Sequence, residues 1–203
     1  GQNITLTHID GELPITGNLT IDASALPQGL TVNGNQTSRH FHVQPGASLT
    51  LRGMTLKSGK RDGGVGGSIV NSGTLRLYGC TLSENSATVT GGALHSLGDV
   101  QAEYCTFSGN TAPFGGAIYV TAGDLRLDRC TISGNTAESG GALQKLGAVW
   151  LSCRTPPSRA TTGLSALAAS SLVRVSWRLN TAPSLRTSAP EEAGGFFIGH
   201  RAQ

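Results

Sequence analysis

Aromatic residues are scarce in this chain, 5% of its 203 residues, and charged residues are few as well, at 13%. So few rings exclude a bulky aromatic core, and so few charges exclude the basic tract of a nucleic-acid binder. No apolar run is long enough to span a bilayer, so no transmembrane segment is expected. No basic-then-apolar leader opens the chain; Gly1 lies inside a strand-like run instead, which reads as a mature or trimmed piece. The four cysteines contain no CxxC pair, which removes zinc knuckles. The net charge of +3 is unevenly placed: residues 1–138 hold 8 Lys/Arg against 10 Asp/Glu, and residues 139–203 hold 7 against 2. Nucleic acid is therefore not an expected partner.

What the chain has in quantity is glycine, 29 residues, among Thr, Ser, Asn, Leu and Val, a composition that favours short strands joined by tight turns. It also repeats itself. Leu75 to Ala87, Val100 to Ala112 and Leu125 to Ala137 align residue for residue, superposing Cys80, Cys105 and Cys130 as well as Asn85, Asn110 and Asn135. A glycine pair follows each copy, at Gly91-Gly92, Gly115-Gly116 and Gly140-Gly141, and the period is 24 to 25 residues. Within a copy the apolar residues alternate, as at Leu75, Leu77, Cys80 and Leu82, which is the signature of short half-buried strands, three to a coil. Copies that cannot bury an apolar face alone must stack on one another. The fold class is therefore all-β, a right-handed parallel β-helix of three short strands per coil. Stacking turns every position into a column: Leu75, Val100, Leu125 and Val149 inward, then Leu77, Ala102, Leu127 and Leu151, then Leu82, Phe107 and Ile132. The asparagines fall where the chain turns, where their amides can bond along the stack and tolerate a left-handed backbone. The glycine pairs supply positive φ at a second corner, and the cysteines form a buried column of free thiols.

The tetrads Phe107-Ser-Gly-Asn110 and Gly115-Gly116-Ala117-Ile118 resemble the paired FxxN and GGAI repeats of the chlamydial polymorphic outer-membrane proteins. The opening coils resemble those of other bacterial surface β-helix repeat proteins, and the likeness spans residues 3–152. It implies a secreted or surface-exposed module involved in adhesion, located outside the bacterial cell or on its surface. Motifs of this kind encode turns and core, so they speak for fold more than for activity.

The expected organisation is a β-helix over residues 1–153, with opening coils at 1–53 and regular repeats at 54–153. An irregular segment follows at 154–187, and a repeat-like tail at 188–203. The genetic code connects the irregular segment to the repeat. Reading back by one nucleotide, the residues permitted from Thr155 onward include N-S-T-I-S-G-N-N-G, the missing copy, so we read 154–187 as the product of two compensating frameshifts. Gly194, Gly195 and Ile198 then restore the motif in the visible frame. Leu164, Leu167, Ala168, Leu172 and Val175 recur at helical spacing, which predicts a short helix capping the open end. Open ends also leave strand edges through which copies can associate.

Candidate chemistry sits on the outward face of the strand containing Leu75 and Leu77. Stacking places Thr74, Arg76 and Tyr78 above Asp99, Gln101 and Glu103, then Asp124, Arg126 and Asp128, then Ala148, Trp150 and Ser152. Glu103 and Asp128, one rung apart at about 5 Å, have the spacing of a retaining glycosidase pair, and Arg126 can neutralise a sugar carboxylate. Such a face would serve a polysaccharide hydrolase or lyase. Asp99 and Asp124 form a second pair suited to Ca²⁺, the one cofactor the sequence suggests. Arg76, Tyr78, Gln101 and Trp150 could hold a glycan without cleaving it. An outward β-helix face is polar in any case, so the leading expectation is a non-catalytic surface module that binds glycan or a surface protein. His40 and His42 lie on one face two residues apart, where imidazoles can chelate a transition metal. Lacking a third ligand, they read as an exposed pair. His95 aligns with Tyr119 and Gln144 and has no Ser or Asp partner at a catalytic spacing.

Overall fold

A computed structural model describes residues 2–5, 11–139, 141–146, 149–153 and 173–177; for 2–5, 149–153 and 173–177 it gives the course of the backbone. Each coil contributes one strand to each of three parallel sheets. The first sheet contains Gln2–Thr5, Leu30–Asn33, Met54–Lys57, Thr81–Ser83, Thr106–Ser108 and Thr131–Ser133. The second contains Leu13–Ile15, Phe41–Val43, Ile69–Asn71, Leu94–Ser96, Ile118–Val120 and Leu143–Lys145. The third runs from Asn18–Asp22 through Ser48–Arg52, Thr74–Tyr78, Asp99–Glu103, Leu125–Asp128 and Val149–Cys153 to Val173–Trp177. The chain is a parallel β-solenoid, and the coils before residue 54 belong to the same three sheets as the regular repeats.

The register is the one the repeat dictates. Leu75 pairs with Leu49 and Val100, and Leu77 with Leu51 and Ala102. Leu82 pairs with Leu56 and Phe107. These side chains all point inward and are buried, joined by Phe41, Ile69, Leu94 and Ile118 from the second sheet. Burying one such side chain contributes about 1.5–3 kcal/mol relative to leaving it exposed, so the columns supply the main driving force for stacking.

The corners refine the sequence reading. The asparagines bond along the stack: Asn85 Nδ2 donates to Asn110 Oδ1 at 3.0 Å, and Asn110 Nδ2 to Asn135 Oδ1 at 2.9 Å. The left-handed backbone falls one residue earlier, at Glu84, Gly109 and Gly134. That placement leaves each asparagine free to turn its amide inward under the next coil. At the glycine pair the two residues have different tasks. Gly91 takes φ 63°, whereas Gly92 is required by close approach, because a Cβ there would lie 2.2 Å from the Gly116 carbonyl oxygen.

One further difference concerns the C-terminal segment. Val173–Trp177 is a strand inside the segment expected to be irregular, and it stacks in parallel on Val149–Cys153. Its Val-Arg-Val-Ser-Trp alternation, rich in β-branched residues, suits a strand, so the helical pattern expected from Leu164 does not extend through Val175. The rest of 154–187 and the tail at 188–203 lie outside the described residues, as does the proposed frameshift product apart from this strand. Among the described residues no helix is long and apolar enough to cross a membrane.

Candidate functional site

The third sheet carries the face singled out by the sequence. Because Leu75, Val100 and Leu125 point inward, their neighbours form two outward columns. One is Thr74, Asp99, Asp124; the other is Arg76, Gln101, Arg126. Between them runs a groove of about 570 Å³ along the solenoid axis, lined by these six residues over a floor of Leu75, Val100 and Leu125. Backbone register continues the second column to Trp150 and then Arg174. Among the described residues neither Arg76 nor Arg126 forms an ion pair, and Asp99 and Asp124 form none either. The carboxylate wall is instead tied to itself, the Asp124 amide donating to Asp99 Oδ1 at 2.9 Å. The two walls therefore keep their charges available on opposite sides of an open channel.

Glu103 and Asp128 lie one column further out. They are paired across adjacent rungs, as the spacing predicts, but do not line the groove. Gln101 Nε2 donates to Glu103 Oε1 at 2.7 Å, while Asp128 Oδ1 is buried with no hydrogen-bond partner. Tyr78 shares this outer column, and the Arg52 guanidinium covers one face of its ring at 4.2 Å from the centroid. A sugar has only the other face on which to stack. The backbone of Trp150 is placed beside Arg126, and its side chain lies outside the described residues. No group of three or more His, Cys, Asp or Glu side chains among the described residues is arranged to hold a metal ion. A calcium ion at Asp99 and Asp124 would draw its remaining oxygens from water or from a ligand.

The histidines depart from expectation. His40 is not exposed beside His42 but wholly buried at the corner before Phe41–Val43. Its Nδ1 lies 2.9 Å from Ser68 Oγ and its Nε2 3.1 Å from the Val32 carbonyl oxygen. The carbonyl can only accept, so Nε2 carries the proton and Nδ1 accepts from Ser68. Burial holds its pKa down at about 4. The neighbouring Arg39, also buried, bonds the Gly66 and Val65 carbonyls and pairs with Glu12, fastening the first coil to a loop of the third. His95 takes its predicted column, its ring stacked on Tyr119 at 5.5 Å between centroids. Its Nδ1 meets Thr90 Oγ1 at 2.7 Å, a partner that sequence spacing did not reveal. Burial, and secondarily the charge of Arg39, keep His95 below the usual imidazole range. Both Thr90 and His95 are buried, so this contact fastens a corner and does not present a nucleophile.

The thiol column is present. Cys80, Cys105 and Cys130 are free, and the Cys80 amide donates to Cys105 Sγ at 3.4 Å. Contact with Cys130 and Cys80 on either side, followed by burial, holds the Cys105 thiol protonated. The same contact with Cys105 lowers the thiol pKa of Cys80, to about 7, and that of Cys130; Cys80 and Cys105 are buried and pack the corner, whereas Cys130 is partly exposed.

Three parallel sheets, ladders of like residues and a groove along the stacking axis define a parallel β-solenoid repeat protein. Residues 104–121, which contain both the Phe107–Asn110 and Gly115–Ile118 tetrads, match the Chlamydia polymorphic membrane protein repeat. Neither a curated protein nor a solved structure gives a match.

Proposed function

We propose that the chain is a bacterial surface or extracellular binding module, holding glycan or a surface protein in the groove of its third sheet without cleaving it. The supporting observation is the groove itself, whose two polar walls carry unpaired arginines and carboxylates over a rigid, fully paired strand floor. Ligand clefts use a few fixed donors and acceptors in a concave site to orient what they hold. The match to a membrane-protein repeat supports placement at a cell surface and a role in adhesion.

A polysaccharide hydrolase or lyase is the second reading, favoured by the unpartnered Asp128 Oδ1 beside the Glu103 rung. One experiment separates the two: incubation with a panel of immobilised polysaccharides and surface proteins, scored for retention and for new sugar ends. Retention without product supports the module. Product formation abolished by Glu103→Gln or Asp128→Asn establishes the enzyme. Absence of retention and of product by folded protein overturns both.

A further inference from the structure

Resting on the reading of this groove as a glycan site, we propose that its ligand is an uncharged, extended polysaccharide lying along the solenoid axis, one disaccharide to every two rungs. The charge of the face decides the first part. Across the rungs from Thr74 to Asp128 two arginines, Arg76 and Arg126, stand among four carboxylates, Asp99, Asp124, Glu103 and Asp128. A uronate or sulfated chain entering here would meet as many carboxylates, Asp99 and Asp124, as arginines, Arg76 and Arg126, with Glu103 and Asp128 adding negative charge on the column outside the groove, and with few walls to exclude solvent it would not displace its hydration. A neutral sugar meets no such conflict. Its hydroxyls can donate to Asp99 and Asp124 on one wall and accept from Arg76, Gln101 and Arg126 on the other.

The periodicity decides the second part. Neighbouring rungs are about 4.8 Å apart, so Arg76 and Arg126, separated by Gln101, stand about 9.6 Å apart along the axis. That step is close to the length of two pyranose rings in an extended chain. Backbone register continues the line of this column through Trp150 to Arg174. Arginines spaced in this way meet equivalent oxygens on alternate sugars, whereas a ligand crossing the sheet would meet only one of them. The strand amides and carbonyls of the floor are committed to the parallel ladder, so recognition falls to the walls.

The test is calorimetric titration of the full chain with neutral oligosaccharides from two to six sugars, in β1,4- and β1,3-linked series, and with oligogalacturonate and heparin fragments. The expected result is binding of a neutral series that strengthens at least about tenfold from disaccharide to tetrasaccharide and is indifferent to salt between about 0.05 and 0.5 M. Arg76→Ala and Arg126→Ala, both at exposed positions, should each weaken the tetrasaccharide about tenfold and bring its affinity close to that of the disaccharide, while Lys57→Ala on the first sheet leaves it unchanged. Preference for the acidic fragments with salt-dependent affinity, or neutral binding without dependence on length, overturns this inference and leaves the glycan module standing. Failure of every oligosaccharide and polysaccharide to bind folded protein overturns the glycan reading of the groove itself.

Discussion

Removing one amide from the asparagine ladder should cost several times more than removing an outward hydroxyl from the same coil. Asn110 is fully buried, and its side chain makes four hydrogen bonds. Nδ2 donates to the Leu82 carbonyl and to Asn135 Oδ1, both at 2.9 Å, and Oδ1 accepts from the Asn85 amide and from Asn85 Nδ2, both at 3.0 Å. In Asn110→Ala the Asn85 amide is left without its acceptor in a site closed to water, which costs about 1–3 kcal/mol. The other lost bonds add about 0.5–1 kcal/mol each, because Asn85 Nδ2 keeps the Leu56 carbonyl and Asn135 Oδ1 keeps the Asn110 amide. The sum is about 2.5–6 kcal/mol. Asn110→Asp should cost more at neutral pH, since it sets a carboxylate oxygen against two acceptors, and should recover relative to wild type as pH falls and the acid becomes a donor. Urea unfolding followed by circular dichroism measures both, with Ser108→Ala as the reference. A cost for Asn110→Ala within about 0.5 kcal/mol of that for Ser108→Ala would refute the ladder as a source of stability.

The remaining predictions concern other columns. Because folded His40 resists protonation down to about pH 4 while the unfolded chain takes the proton near 6.5, the unfolded state binds more protons between those values. Stability should therefore fall by up to about 3 kcal/mol as pH drops through that window, and His40→Gln should flatten the urea midpoint measured at successive pH values across it. Gly92→Ala should cost more than about 3 kcal/mol by thermal melting, because its Cβ would meet the Gly116 carbonyl and the Thr111 backbone, whereas Gly46→Ala, with open space around it and φ 78°, should cost only about 1 kcal/mol. Brief alkylation of native protein followed by peptide mass mapping should leave Cys80 and Cys105 unmodified, and alkylation in denaturant should label Cys80, Cys105 and Cys130; a disulfide-linked peptide pair among them would contradict the free column.

The stack was legible because the sequence states it several times over. Cys80, Cys105 and Cys130 recur at a fixed spacing, and so do Asn85, Asn110 and Asn135, which fixes the register and with it the membership of the Arg76, Gln101 and Arg126 column. Positions with no copy in a neighbouring coil were harder. His40 precedes an outward-facing residue by two, so alternation places it in solvent, yet the corner turns it into the interior, where Ser68 and Val32 receive it. Period-two reasoning holds along a strand and fails where the strand ends. The left-handed residues Glu84, Tyr104 and Arg129 carry no glycine to mark them, because stacked backbone, not local preference, imposes those corners. Within the site, register brought Asp99, Asp124, Arg76, Gln101 and Arg126 to one groove, but it could not reveal that the charges stay unpaired or that Glu103 and Asp128 stand outside. Those outcomes depend on side-chain reach across the strand, which a column assignment leaves open.

A crystal structure measures the central claim most directly. It should show the Cα atoms of Arg76, Gln101 and Arg126 following one another at about 4.8 Å along a single outward line, with Asn85, Asn110 and Asn135 superposed at the opposite corner. A shift of one residue between any two of these coils would carry Leu75, Val100 or Leu125 to the surface, and would dissolve the groove together with the ligand assigned to it.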